Sequence, residues 1–247
     1  MRRPHYVPPL KAKLLSKSLR DLADPVTAAQ LQRFFKTGKG EYGEGDRFLG
    51  IRVPVIRQHV NKCVKMPLEE IGHLLASPFH EERLAALLLL VERFRRGDDS
   101  LRAAVYRMYL DNLHRVNNWD LVDISAPAIV GAHLENKDKR PLYALAASSN
   151  LWQRRIAIMA TLTFIRKQRF ADTLKIAKRL LGDSEDLIHK AVGWMLREIG
   201  KRDAGVEKIF LKVHHKRMPR TMLRYAIEKF PEPERQEYLK GTIGILN

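Results

Sequence analysis

A short pattern, in which a basic residue is followed by an apolar residue, an alanine and a further apolar residue, recurs at regular spacing along this chain. It occupies residues 83–86, 155–158 and 224–227, so successive occurrences are 72 and 69 residues apart. Each spacing is twice a unit of about 35 residues, the length of one helix pair in many repeat proteins. Segments beginning at Trp119 and Lys190 fall near the intermediate positions. The spacing predicts stacked helix pairs, with equivalent residues of successive pairs side by side on one surface.

Helical periodicity covers most of the chain. Several segments open with a proline, which favours the first turn of a helix. No segment shows the strict alternation or the Asn-Gly turn that is typical of a β-hairpin. The predicted helices span 9–24, 25–37, 54–65, 67–77, 81–96, 100–116, 119–134, 141–147, 151–167, 171–181, 185–199, 204–214, 219–230 and 232–240. With the repeat, these signals predict an all-α fold built from HEAT-like helix pairs, in which Trp119, Arg155 and Lys190 are neighbours.

Residues 37–47 interrupt the helical pattern with four glycines and several charged side chains. This composition predicts a loop. The loop has no GxxxxGK[ST] motif and no preceding strand, so it does not resemble a phosphate-binding loop. Two interpretations remain open, a mobile connector after the N-terminal helices or a flexible lip over a binding groove.

The balance of charge is strongly basic. Lys and Arg number 45 and Asp and Glu number 28, which gives a net charge of +17. Such an excess is typical of proteins that bind a polyanion. Nucleic acid is the first candidate and an anionic membrane surface is the second, whereas solubility alone does not need so large an excess.

Other sequence features exclude several classes of protein. Cys63 is the only cysteine, so the chain holds no internal disulfide and no thiolate metal cluster. The histidines lack an HExxH context, so no metal site is expected. No apolar run approaches the roughly 18 residues that span a bilayer. These features predict a cytoplasmic protein with one domain over 1–247, in which residues 1–8 are a flexible N-terminal extension.

Four motifs occur in order along the chain. They are FLGIRVP at 48–54, NWDLVD at 118–123, LWQRR at 151–155 and KAVGWMLRE at 190–198. Together they resemble the AlkD-type DNA glycosylases, bacterial DNA alkylation repair enzymes built from HEAT-like repeats, over residues 31–230. The resemblance implies an all-α, right-handed solenoid of HEAT-like antiparallel helix pairs whose concave face binds duplex DNA. It also implies excision of purines alkylated at N3 or N7, without a metal or an organic cofactor.

The resemblance assigns roles to four residues. Asp123 matches the catalytic carboxylate, and Trp119 and Trp194 match the tryptophans that flank the damaged nucleotide. Arg155 matches the arginine that contacts phosphate near the lesion. On the residues alone, Asp123 is as consistent with a salt-bridged structural residue, and Trp194, in an apolar run, is more typical of a core.

Further DNA contacts are expected from the N-terminal region and from basic side chains. The family has an aromatic residue before the FLGI motif, and the candidates here, with Phe34 favoured, are Phe34, Phe35 and Tyr42. Arg52 stands where the family has a polar residue that faces DNA, and Lys190 suits a phosphate contact. Three more residues suit a phosphate contact but are also typical of a solvated face: Arg154, Arg197 and Lys201.

The expected chemistry needs only one carboxylate. A purine alkylated at N3 or N7 carries a formal positive charge and is already a good leaving group. One ionised carboxylate beside C1′ can stabilise the cationic sugar that develops as the glycosidic bond stretches. The expected partner is double-stranded DNA that carries alkylated purines, bound by a monomer.

Two other functions remain open, a non-catalytic HEAT-like protein that binds distorted or branched DNA and a protein-binding HEAT scaffold. The net charge argues against the scaffold, and the joint presence of Trp119, Asp123, Arg155 and Trp194 argues against a non-catalytic protein.

Overall fold

The structure is a computed structural model that describes residues 11–243. Helices form nearly all of the regular structure in this range, where one isolated parallel bridge between Arg47 and Phe79 is the only strand-like pairing. The prediction of an all-α chain is therefore confirmed. Residues 1–8, predicted to be a flexible extension, lie outside the described residues. The chain divides into two compact units, Met1–Ser125 and Ala126–Asn247.

The first unit is organised around one buried helix. Its helices are α1 (Ala12–Arg20), α2 (Pro25–Phe34), α3 (Val53–Lys62), α4 (Leu68–Leu75), α5 (His80–Arg96), α6 (Asp99–Asp111), a 3₁₀ turn (Leu113–Arg115) and α7 (Trp119–Ala126), which ends at the unit boundary. Helix α5 packs against α1, α3, α4 and α6. Residues 80–90 are all buried. The run of leucine and alanine at 84–90 is apolar on every face of the helix, whereas the polar side chains of residues 80–83 are buried with hydrogen-bond partners.

Helices in this unit begin at the local signals that the sequence carries. Asp24 caps α2, since its carboxylate accepts a hydrogen bond from the Val26 N–H at 2.9 Å, and Pro25 occupies the first turn. Asp98 caps α6 by accepting from the Leu101 N–H at 2.8 Å. The predicted start of α2 at Pro25 is confirmed.

The second unit is organised around α13. Its helices are a π-helical segment (Pro127–Gly131), α8 (Ala132–Leu134), α9 (Arg140–Ala146), α10 (Leu151–Ala160), α11 (Leu162–Ile165), α12 (Ala171–Arg179), α13 (Asp186–Gly200), α14 (Ala204–His214), a 3₁₀ turn (His215–Arg217), α15 (Arg220–Ala226), a 3₁₀ turn (Ile227–Lys229) and α16 (Glu232–Lys240). Helix α13 packs against α10, α12, α14 and α15. Gly193 permits the close approach to α15, because a Cβ there would lie 2.4 Å from the Met222 carbonyl oxygen.

Four predicted helices are interrupted in the structure, and one of them, predicted over 219–230, changes from α15 to a 3₁₀ turn at Ile227. The helix predicted over 119–134 changes to a π-helical segment at Pro127, which has no N–H to donate. The helix predicted over 151–167 breaks at Thr161, whose hydroxyl donates to the Ile158 carbonyl at 2.6 Å. The helix predicted over 100–116 ends at Asp111. None of the helices within residues 11–243 combines the length and apolar character that crossing a membrane requires.

Candidate functional site

Trp119 stands at the start of α7 and is held by a stack of aromatic rings. The Trp119 ring lies nearly parallel to that of Phe35, with centroids 5.1 Å apart and an interplanar angle of 16°. Phe35 in turn stacks on Phe48 at 4.9 Å. Phe35 and Phe48 are buried, whereas Trp119 is half-buried. Stacking on Phe35 therefore fixes one face of the indole and leaves part of the side chain accessible.

Phe34 lies beside this indole at the surface. Its side chain is 64% exposed, and its ring meets Trp119 edge-on at 6.0 Å. Of the other aromatic candidates, Phe35 belongs to the buried stack and Tyr42 is half-buried in the glycine-rich loop. Arg52 is exposed at the residue that precedes α3. The structure thus brings the favoured candidate, Phe34, next to Trp119.

Asp123 lies one helical turn after Trp119 on α7 and is half-buried. Residues four apart share one face of a helix, so the indole and the carboxylate point to the same side. The opposite side is anchored, because Leu121 is fully buried. Burial raises the pKa of Tyr109, and the negative charge of Asp123 raises it further. The Asp123 carboxylate is therefore within electrostatic reach of that buried phenol.

A buried histidine, not identified from the sequence, connects α5 to the start of α7. His80 is 1% exposed and opens α5. Its Nδ1 lies 2.9 Å from Oδ2 of Asp46, and its Nε2 lies 2.8 Å from Oδ2 of Asp120. Burial alone would lower the pKa of His80, but the hydrogen bonds and charges of the two carboxylates raise it to about 9.

Asp46, near the end of the glycine-rich loop, is the second centre of the hydrogen-bond network around His80. It is 5% exposed, and its carboxylate accepts hydrogen bonds from His80, from Arg83 and, at 3.5 Å, from the side-chain amide of Asn118. Burial alone would raise the pKa of Asp46, but His80 and Arg83 hold it below the usual range. Arg83 also donates to the Ser77 carbonyl at 3.1 Å. Asp46 thereby ties the loop to both α5 and the residue that precedes α7.

The FLGI motif has a structural role beside this network. The buried carboxylate of Glu81 accepts hydrogen bonds from the N–H groups of Leu49 at 2.9 Å, Gly50 at 2.8 Å and Ile51 at 3.2 Å. Gly50 has a φ of +88°, and a Cβ there would lie 2.2 Å from the Asp24 carbonyl oxygen. Only glycine suits both the backbone angle and the contact. The motif therefore anchors the segment that carries Phe48.

In the second unit, α10 and α13 carry the remaining predicted residues. Arg155 is 4% exposed, and its guanidinium donates to the Leu187 carbonyl of α13. Trp194 is half-buried rather than part of the core, and its indole N–H donates to Glu198 at 3.3 Å. Lys190 forms an ion pair at 2.8 Å with the aspartate one turn earlier. The structure thus joins Arg155 to the helix that presents Lys190 and Trp194.

Two arginines that are typical of a solvated face are instead held in ion pairs. The Arg154 side chain is 14% exposed and pairs with Asp183 at 2.6 Å. Arg197 is 15% exposed and pairs with Glu228. The solvated-face interpretation is wrong for these two residues, because each guanidinium reaches a carboxylate in a different segment. Lys201, whose side chain is 44% exposed, remains at the surface.

Comparison with known proteins identifies the family. Residues 15–230 match the family described as DNA alkylation repair enzymes. The chain belongs to the DNA alkylation repair enzyme family. Membership implies a role in DNA repair with DNA as the substrate, and it agrees with the net charge of +17. No curated protein matches the chain.

Solved structures with low sequence identity share the fold of this protein. One is a protein from Enterococcus faecalis described as a predicted DNA alkylation repair enzyme. It is 19% identical, with a TM-score of 0.65 over 85% of this chain and 97% of its own. Another is smu.31 from Streptococcus mutans UA159, which is 18% identical with a TM-score of 0.50 over 90% of this chain and 99% of its own.

Proposed function

We propose that this protein is a monofunctional DNA glycosylase that hydrolyses the N-glycosidic bond of purines alkylated at N3 or N7 in duplex DNA. The observation that carries the proposal is the geometry of α7. Trp119 and Asp123 lie one turn apart, both are half-buried, and one face of the indole is fixed by stacking on Phe35. This arrangement offers a rigid wall for a deoxyribose and a carboxylate beside it.

The catalytic step follows from the charge of the substrate. The alkylated purine leaves as a neutral base when the glycosidic bond breaks, and positive charge moves to the sugar ring. The Asp123 carboxylate stabilises this charge more in the transition state than in the ground state, and it orients the attacking water. Loss of one such electrostatic partner typically costs ~2.7–4 kcal/mol, or roughly 10²–10³ in rate.

The remaining residues of the proposal bind and orient the DNA. The faces of Trp119 and Trp194 pack against the sugar and add ~0.5–2 kcal/mol for a cation over each ring. Arg155 is assigned a bidentate phosphate contact, for which its guanidinium would exchange the Leu187 carbonyl for phosphate. The supporting DNA contacts are assigned to the exposed Arg52 and Phe34. Further contacts are assigned to Lys190, Arg154 and Arg197, which would exchange their carboxylate partners for phosphate. In this proposal the helix pairs form a HEAT-like right-handed solenoid with a concave DNA-binding face, which is supported by the repeat of about 35 residues.

A base-release assay tests the proposal. Wild-type protein is incubated with methylated duplex DNA, and the supernatant is analysed for free 7-methylguanine and 3-methyladenine. We expect release by the wild type and loss of release in Asp123→Asn, with DNA binding retained. Asp99→Asn is the matched control, because it removes the same charge from a side chain that is fully exposed on α6. Binding without release by the wild type would support the alternative, a non-catalytic protein for distorted or branched DNA.

A further inference from the structure

The His80 imidazole bridges two carboxylates in the interior of the first unit. Both ring nitrogens lie within hydrogen-bond distance of an aspartate, at 2.9 Å from Asp46 and 2.8 Å from Asp120. Ionised carboxylates only accept hydrogen bonds, so each ring nitrogen must donate. A neutral imidazole has one N–H and an imidazolium has two. With both carboxylates ionised, this geometry requires the charged form of His80.

The charges around His80 balance only when the ring is protonated. Asp46 from the loop and Asp120 from α7 supply two negative charges, and Arg83 from α5 supplies one positive charge through Asp46. The carboxylate of neighbouring Glu81 instead accepts hydrogen bonds from backbone N–H groups of the FLGI motif. Deprotonation would leave a buried excess of negative charge and one carboxylate without its donor. Below the pKa of His80, which is raised to about 9 by these carboxylates against the opposing effect of burial, the network is complete.

His80 is connected to Trp119 by a polar route and by an aromatic route. The polar route runs through Asp120, the residue that follows Trp119 in the first turn of α7. The aromatic route runs through Phe48, which stacks on the imidazole at 4.4 Å, and Phe35, which stacks on Trp119 at 5.1 Å. Both routes start at one buried ring and end at the part of α7 that precedes Asp123.

We propose that His80 is a positioning residue, which holds the first turn of α7 so that Trp119 and Asp123 meet the nucleotide in the productive geometry. This inference rests on the glycosylase function proposed above. His80 does not touch DNA and transfers no proton. It acts through Asp120 and through the aromatic stack, and a displacement of reacting groups by about 1 Å costs up to ~10²-fold in rate. A merely structural His80 would affect stability alone.

The kinetic test compares His80→Gln with His215→Gln. Glutamine keeps a polar side chain but cannot carry the positive charge. His215 is a matched control, because it is 7% exposed and hydrogen-bonded at 2.9 Å to the Leu211 carbonyl in the second unit. At saturating protein, we expect His80→Gln to release alkylpurine roughly 10- to 100-fold more slowly, with a Kd for DNA within about threefold of wild type. A folded His80→Gln protein with the wild-type rate would overturn the proposal.

A pH profile and a conservative variant distinguish a positioning role of His80 from a merely structural role. Wild-type release should fall reversibly as the pH passes the His80 pKa of about 9, while circular dichroism remains native, and this step should be absent in His80→Gln. If His80→Gln does not fold, Asp120→Asn takes its place, since it keeps an oxygen that accepts from Nε2 but removes the charge. An Asp120→Asn protein with an unchanged rate and an unchanged pH profile would refute the proposal.

An NMR measurement tests the proposal without relying on base release. In protein labelled with ¹⁵N-histidine, we expect one imidazole with both nitrogens protonated at neutral pH, and the Trp119 indole resonance should shift in His80→Gln but not in His215→Gln. A neutral tautomer of His80, or an unshifted indole, would overturn the positioning role. If wild-type protein releases no base, the glycosylase function fails, and this measurement still tests whether His80 fixes Trp119.

Discussion

Glu207 offers a sharp test of the energetics of the second unit. It is 2% exposed in the first turn of α14, and its Oε1 has no hydrogen-bond partner among the described residues. Burial raises its pKa to about 8, and nearby Glu234 acts in the same direction, although the charges of Arg197 and Lys208 oppose the shift. The folded protein therefore holds Glu207 protonated at neutral pH, whereas the unfolded chain ionises it.

The sign and size of the effect follow from these two pKa values. The folded-state pKa of about 8 is above the ordinary value of 4.5, so the native state binds more protons between them, and stability falls as the pH rises through this window. At pH 7, which is about 2.5 pH units above the ordinary pKa of 4.5, keeping Glu207 protonated in the folded state costs about 3 kcal/mol of stability. Glutamine is neutral at every pH and nearly isosteric with glutamate. Glu207→Gln should therefore stabilise the protein by about 3 kcal/mol at pH 7 and by little near pH 4.

Urea unfolding at several pH values is the appropriate assay, with the exposed Glu185→Gln as the control. The free energy of unfolding of Glu207→Gln should exceed that of wild type by an amount that grows from pH 4.5 towards pH 8. A constant difference across this range would refute the reasoning, because it would mean that Glu207 is ionised in the folded state as it is in the unfolded chain.

Two further predictions concern the first unit and the binding of DNA. Phe35→Ala removes the ring between Phe48 and Trp119, so it should lower the free energy of unfolding by about 3–5 kcal/mol and red-shift the fluorescence of Trp119, whereas an unchanged Tm would contradict the packing described. The affinity for duplex DNA should fall linearly on a log–log plot against salt, with a slope of roughly −0.9 for each phosphate contacted. Salt-independent binding in a titration by fluorescence anisotropy would be incompatible with an interface dominated by phosphate.

Local features of the sequence account for much of the fold. Helix α14 begins and ends at the predicted residues, 204 and 214, and α16 at the predicted 232 and 240. These boundaries depend on capping groups and prolines that act within one turn. The sequence does not indicate the break at Thr161, because the hydroxyl hydrogen bond that accompanies it leaves no periodic signal in an apolar run.

Long-range contacts were not accessible from the sequence. Asp46 and Asp120 are separated from His80 by 34 and 40 residues, and only the tertiary fold brings their carboxylates to one imidazole. Asp120 lies in the first turn of α7, where the helix dipole favours a carboxylate, and it also binds His80. A histidine at the start of a buried helix, just after a Ser-Pro-Phe turn, was the available signal.

The most direct test of the proposed function is the single-turnover rate of base release from a duplex with one 7-methylguanine. Wild-type protein in excess over DNA should release the base in a single exponential phase. Asp123→Asn should be slower by roughly 10²–10³ while its Kd for the same duplex stays near the wild-type value. Equal rates in the two proteins, or a wild type that binds this duplex but releases no base, would contradict the assignment of Asp123 as the catalytic carboxylate.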